Sequence, residues 1–169
     1  MTEKILADVI EEAVRQLSRG GAFLTTSNEG EKNTMTISWA AMGRIWNKPV
    51  VIVAVRYSRY SYRFIDESGE FTVSFPAKGQ LADELVFCGT KSGRDTDKFR
   101  ECSFEAIEGS AVSAPLIDKC HIHIECKVIY KQAMEPGNLD ESIKDTFYKP
   151  GYDYHVMYYG EVKACHIDD

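Results

Sequence analysis

From residue 22 onward the chain reads as short stretches of alternating apolar and polar residues broken by turns, and that period of two governs what it can fold into. AFLTTSN (22–28) runs into NEGEK, a turn that joins antiparallel strands. TMTISWAA (34–41) follows, with Met35, Ile37 and Trp39 alternating with Thr34, Thr36 and Ser38. PVVIVAV (49–55) is apolar on both faces, which predicts a covered central strand. FTVSF (71–75), HIHIECKVIYK (121–131) and YHVMYYGEVKAC (154–165) supply the other strands. Ile122, Ile124, Cys126, Val128 and Tyr130 fall on one face of the long strand, and Gly160 marks a bulge in the last. LADELVF (81–87) reads as a short helix and RDTDKFRE (94–101) as a turn or helix. With few helices long enough for crossovers, six or more strands point to a mainly β, antiparallel barrel rather than a doubly wound sheet.

The N-terminus is different. Residues 1–20 predict a helix with Ile5, Leu6, Val9, Ile10, Ala13, Val14 and Leu17 on one stripe. Thr2 stands where it caps the start, Glu11 and Arg15 lie one turn apart, and Gly20-Gly21 ends the helix. No linker or repeat divides the 169 residues, so a single domain over 1–169 is expected. A net charge of -6 argues against broad nucleic-acid binding. MTEKILADVIEE carries acids where a secretory signal carries a basic region, and VVIVAV (50–55) is too short to span a bilayer. Five cysteines, an odd number, read as reduced thiols. The expectation is a cytoplasmic protein outside the membrane.

The chain has 26 acids, yet none falls between Asn33 and Phe64. Within that window RYSRYSYR (56–63) sets Arg56, Arg59 and Arg63 among serine and tyrosine hydroxyls, directly after the apolar strand. Guanidiniums and hydroxyls at a strand end suit a phosphate, each charge-assisted bond being worth roughly 1.5–3 kcal/mol. The competing reading is a solvated strand end. TMTISWAA offers the aromatic and small-residue surface that a planar heterocycle needs, although Trp39 and Trp46 also suit a core. FCGTKSGRDTDKF (87–99) is a hydroxyl-rich basic loop without the P-loop order, able to close over an anion.

Together these stretches resemble the flavin reductase-like, FMN-binding split-barrel family, in particular its flavoredoxin branch. The matching segments are NTMTISW, WNKP, SRYSYRFI, FTVSF and CGTKSGRDTDKF in that order, and DYHVMYYGEV (153–162) resembles the family's last strand. The likeness covers residues 22 to 163. It implies a six-stranded Greek-key split barrel that forms a homodimer, with FMN held non-covalently between subunits. It also implies that Asn33, Met35, Thr36, Ser38 and Trp39 support the isoalloxazine, and that Arg56, Ser58, Arg59, Tyr60 and Ser61 hold the phosphate. Cys88, Gly89, Ser92, Gly93 and Lys98 would border the same site. Two departures stand out: Ala40-Ala41 replace a frequent Gly-Gly, and Tyr57 replaces a frequent proline.

KCHIHIEC (119–126) carries metal-binding residue types, but on a strand Cys120 and Cys126 face one way and His121 and His123 the other, so no metal site is expected. Cys88 is either a redox thiol with Lys98 and Arg94 nearby or a small packing residue. His155 lies either by the flavin edge or in the core. The reading is an FMN-dependent oxidoreductase fed by NAD(P)H or a redox protein partner, passing electrons to flavin, ferric iron or another carrier. No G-x-G-x-x-G unit is present, so a nicotinamide would visit only transiently. The alternative is a non-catalytic FMN-binding module for electron storage or sensing.

Overall fold

The computed structural model describes residues 2–149 and 151–168; the side chains of residues 2–5, including the Thr2 cap and Ile5, lie outside the described residues. The elements, in chain order, are α1 (Thr2–Leu17), β1 (Ala22–Asn28), β2 (Glu31–Ile37), β3 (Ala40–Ile45), β4 (Lys48–Arg56), α2 (Tyr60–Ser68) and β5 (Glu70–Phe75). Then follow α3 (Ala82–Thr90), α4 (Lys98–Glu101), β6 (Ala106–Ile107), β7 (Leu116–Ile117), β8 (Ile122–Ala133), α5 (Glu141–Phe147) and β9 (His155–Ile167). A single-turn helix (Pro136–Asn138) precedes α5. Among the described residues no helix is long and apolar enough to cross a membrane.

Seven strands form one antiparallel sheet in the order β2-β1-β5-β8-β9-β4-β3, while β6 and β7 pair as a small separate ribbon. Seven replaces the expected six because TMTISWAA is not one strand. Pairing lapses at Ser38 and Trp39, which part β2 from β3. These two strands are the opposite edges of the sheet, yet two residues join them, a reach of about 10 Å. The sheet must therefore curl until its edges meet at this corner. PVVIVAV lies beside the edge strand β3 rather than at the centre.

Two-residue turns set the register at both ends. Glu29 (φ 49) and Gly30 (φ 84) connect β1 to β2, and Trp46 (φ 52) with Asn47 (φ 57) connects β3 to β4, the paired positive φ values of a type I′ hairpin. Trp46 is an unusual residue for that conformation and is 57% exposed, so it is not core. Its ring rests on Tyr130 and Tyr159, with centroids 5.9 and 6.2 Å away.

The main core fills the inside of the curl and takes Leu6, Val9, Ala13 and Leu17 from α1. Val14, expected on that stripe, is half exposed. Glu11 and Arg15 pair as expected. On β8 the buried face runs through Ile122, Ile124, Cys126 and partly buried Val128, then fails at Tyr130, which is exposed. There the ladder shifts register, Val128 pairing with Gly160 but Tyr130 with Tyr159 and leaving Ile129 as the extra residue, and from Ile129 onward both faces of β8 are exposed. The ladder is thus interrupted twice, by Ile129 on β8 next to the Val128–Gly160 pair and by Lys163 on β9, where Glu125 pairs with Ala164 but Cys126 with Val162. Gly160 is itself needed because a Cβ there would lie 2.5 Å from the Phe71 ring and 2.7 Å from Cys126 Cβ. Cys126 belongs to this core and Cys120 to a smaller cluster around Phe23, Phe99 and Phe104, so the two sulfurs share no face.

The second correction concerns RYSRYSYR. Only Arg56 ends a strand; Tyr60 begins α2. Apolar Phe64 and Ile65 then fall one helical turn beyond Tyr60 and Ser61 and are buried, and Gly69 (φ 66) closes the helix in the left-handed conformation.

Candidate functional site

The β2 strand, the β3 junction, the β4–α2 turn and the loop after α3 converge on two clefts that share Met35, Arg56 and Arg59. The first, about 290 Å³, is walled by Met35, Thr36, Ile37, Ser38 and Trp39 with Ala54 and His155. The second, about 270 Å³, is lined by Asn33, Ser58, Tyr60 and Ser61 on one side and Thr90 to Arg94 with Lys98 on the other.

The second cleft is electropositive for reasons readable in its contacts. Lys98 is only 4% exposed, and its Nζ donates to the carbonyls of Thr34 (2.9 Å) and Cys88 (2.8 Å). No carboxylate among the described residues pairs with it. Burial, with help from the nearby Arg59 guanidinium, lowers its pKa to about 8, a penalty on the order of 3 kcal/mol on the charged form. The start of α2 carries no capping side chain and no acid in its first turn, so its first N–H groups and positive dipole end add to the field. Arg59 Nη1 donates to the Gly89 carbonyl at 3.0 Å and Arg94 Nη1 to the Ser58 carbonyl at 2.9 Å, tying the loop to the helix start. Asn33 Nδ2 donates to the Ser61 hydroxyl at 2.8 Å, fixing β2 to α2 across the cleft.

Arg56 is occupied differently. Its guanidinium donates to the carbonyls of Asp153 (2.6 Å) and Phe147 (3.0 Å) and lies over the Tyr148 ring, 5.1 Å from the centroid. It therefore straps the segment after α5 against the end of β4. Asp153 also accepts from the Ser58 hydroxyl. Arg63 points elsewhere: it pairs with Glu31 and packs over Tyr60 and Phe64.

The first cleft has aromatic walls. The Trp39 ring meets Phe147 edge-on at 5.1 Å and lies 5.1 Å from His155. The Thr36 hydroxyl is already engaged, donating to the Leu85 carbonyl at 2.6 Å. Ser38 and Trp39 sit in the break between strands and join no ladder. His155 is 6% exposed, and burial, reinforced by Arg56, lowers its pKa to about 4, so it is neutral at pH 7.

The structure brings fourteen sequence-derived positions to the clefts: Asn33, Met35, Thr36, Ser38 and Trp39; Arg56, Ser58, Arg59, Tyr60 and Ser61; Ser92, Gly93 and Lys98; and His155. Cys88 and Gly89 do not line them. Cys88 is fully buried with its sulfur 3.8 Å from Cys102, and Gly89 backs onto Thr36. Burial, then the Cys102 sulfur, pushes the Cys88 thiol up to about 12 against the opposing pull of Lys98, so it is a thiol and not a thiolate. Ile37, Ala54, Thr90, Lys91 and Arg94 complete the lining; Ile37 stood in the flagged TMTISWAA and the last three in the basic loop, while Ala54 stood in the apolar strand. The Arg56–Phe147–Asp153 strap had no sequence signal, because it rests on backbone carbonyls.

A family model described as flavin reductase like domain matches residues 14–169. An uncharacterized protein of Archaeoglobus fulgidus is 31% identical over 107 residues, 63% of this chain and 59% of that protein. The chain spans about half to two thirds of the length of the curated relatives it matches. Among solved structures, the flavoredoxin of Desulfovibrio vulgaris (Miyazaki F) superposes with a TM-score of 0.69 at 25% identity, covering 89% of this chain and 70% of that one. The flavoredoxin of Methanosarcina acetivorans gives 0.68 at 26%, covering 88% and 68%.

Proposed function

Because this chain belongs to the flavin reductase like domain family, we propose that its paired clefts hold FMN and that it works as a flavoprotein oxidoreductase. The observation that carries this reading is Lys98: a buried ammonium with carbonyl partners and no acid partner among the described residues, beside an uncapped helix start and Arg59, is a site that an anion completes. Arg59, Ser61, Ser92 and Lys98 would hold the phosphate. Met35, Ser38 and Trp39, with the unladdered backbone at the β2–β3 break, would flank the ring, and Asn33 and Gly93 the space between.

FMN, when bound, supplies reversible electron transfer, so the protein needs no acid–base pair of its own. The chain's contribution is to orient the ring on β2, place donors at its polar edge and exclude water with the Trp39–Phe147 wall. Electrons would arrive from NAD(P)H or a redox protein and leave to free flavin, ferric iron or another carrier. The split barrel would act as a homodimer: the edge strand β3 and the 43% exposed Trp39 are surfaces that a second copy would cover. Five free cysteines suit the reducing cytoplasm.

The experiment is the visible spectrum of the purified protein, chromatography of the released cofactor, and then anaerobic titration. An oxidised-flavin spectrum, released FMN and bleaching by NADH or NADPH are expected. A colourless protein that takes up no FMN would refute the flavin reading. Bleaching by dithionite alone would favour a protein-fed carrier or the non-catalytic storage or sensing module.

A further inference from the structure

The ring end of the cleft contains a hydrogen-bonded pair that the flavin reading does not use. Tyr148, the residue after α5, and His155, the first residue of β9, meet with Tyr148 Oη 2.8 Å from His155 Nδ1. Both are buried, at 3% and 6% exposure. Their rings meet edge-on at 5.6 Å, and the Tyr148 ring is clamped between Tyr154, stacked at 4.8 Å, and the Arg56 guanidinium. Neither ring is free to turn away.

Two proton arrangements fit the contact. If Nδ1 carried the proton, it would donate to Tyr148 Oη and the phenol hydrogen would be left buried with no acceptor among the described residues. If Nδ1 is bare, the phenol donates to it and no buried hydrogen is stranded at the contact. Burial also raises the Tyr148 pKa, so the phenol keeps its proton, and the imidazole is neutral. The single imidazole hydrogen then sits on Nε2. That atom makes no hydrogen bond with any described residue and is not sealed from solvent, although His155 is otherwise buried. The surface His155 still presents is the wall of the cleft shared with Thr36, Ser38 and Trp39.

We infer that Tyr148 is a positioning residue that fixes His155 as the Nε2–H tautomer, making it a rigid, uncharged donor for an acceptor oxygen or nitrogen of the ligand's ring system. The donor role rests on the flavin reading; the tautomer does not. Arg56 is the second support. By holding the carbonyls of Phe147 and Asp153 on either side of Tyr148, it sets where the phenol stands. A neutral donor strengthens an acceptor without adding a cation, which separates this end of the cleft from the electropositive phosphate end.

The test is long-range ¹H–¹⁵N correlation of the histidine side chains in ligand-free protein at pH 7, with His155 assigned by its loss in His155→Gln. A protonated Nε2 and bare Nδ1 are expected in the native protein, and a mixture of tautomers in Tyr148→Phe, which keeps the ring packing. A protonated Nδ1, or a signature unchanged by Tyr148→Phe, would overturn the inference. FMN is then added. The His155 Nε2–H signals should shift on binding, and Tyr148→Phe should weaken affinity roughly 3- to 10-fold, the loss of one neutral hydrogen bond. FMN that binds and leaves the His155 signals in place would overturn the donor role. A protein that binds no FMN would refute the flavin reading, while the ligand-free spectrum still decides the tautomer.

Discussion

Gly93 touches Asn33 so closely that a Cβ at position 93 would lie 2.0 Å from Asn33 Oδ1 and 2.7 Å from the Tyr60 ring. The loop after α3 therefore reaches β2 and α2 only because residue 93 has no side chain. Gly93→Ala must push the loop outward or displace the Asn33–Ser61 hydrogen bond. FMN affinity, read by quenching of flavin fluorescence, should fall roughly 5- to 150-fold, as overpacking by one methyl costs about 1–3 kcal/mol. Unchanged affinity would mean that this loop does not form the site.

Lys98 gives the site a pH dependence of defined sign. In the unliganded protein its amine loses its proton above about 8, and a bound phosphate needs the ammonium. FMN affinity should hold below that pH and decline as pH rises beyond it, because binding must then take up a proton. Riboflavin, without a phosphate, should show no such limb, and Lys98→Met should abolish it for FMN. Isothermal titration at several pH values distinguishes these cases. Equal pH profiles for FMN and riboflavin would remove Lys98 from the phosphate end.

Arg56 and Arg59 are three residues apart, yet their variants should behave differently. Arg59→Ala should weaken FMN binding roughly 10- to 100-fold and leave riboflavin binding nearly unchanged. Arg56→Ala releases the carbonyls of Phe147 and Asp153. Besides a weaker FMN complex, it should therefore show faster amide hydrogen exchange over residues 141–149. Equal exchange in both variants would sink the strap.

Glu125 carries stability at the far end of the sheet. The carboxylate is fully buried, and burial alone would raise its pKa. His166, the Ser110 hydroxyl and the N–H groups of Ser110 and Ala111 more than offset that and hold it at about 2. A folded-state pKa below the unfolded value contributes stability that is complete above the ordinary carboxylate range, near 4.5, and is lost as pH falls toward 2. Glu125→Gln should lower stability by about 2–4 kcal/mol at pH 7, flatten the acid limb of urea denaturation and leave FMN affinity alone. An equally steep acid limb in the variant would assign it to other groups.

Much of this was legible in the chain because it depends on neighbours in sequence. Period-two patterning marked β1, β5, β8 and β9, and the acid-free window with its basic, hydroxyl-rich segments marked the residues that line the clefts. What failed were features set by partners far away. TMTISWAA alternates without a break, yet a sheet whose two edges are β2 and β3 has to part them at Ser38 and Trp39. RYSRYSYR reads as a strand end, yet from Tyr60 it is the helix α2, whose Phe64 and Ile65 are buried one turn on.

Side-chain roles divide along the same line. The sequence by itself determined which chemistry is available: the guanidiniums, hydroxyls and glycines, their order, and the exclusion of acids around them. Only the tertiary structure decided how each is used, because direction and burial are properties of packing. It turned Cys88 inward to Cys102 and aimed Arg56 at two backbone carbonyls. It set Tyr148 against His155, and it stripped Lys98 of water while giving it two carbonyls and, among the described residues, no acid.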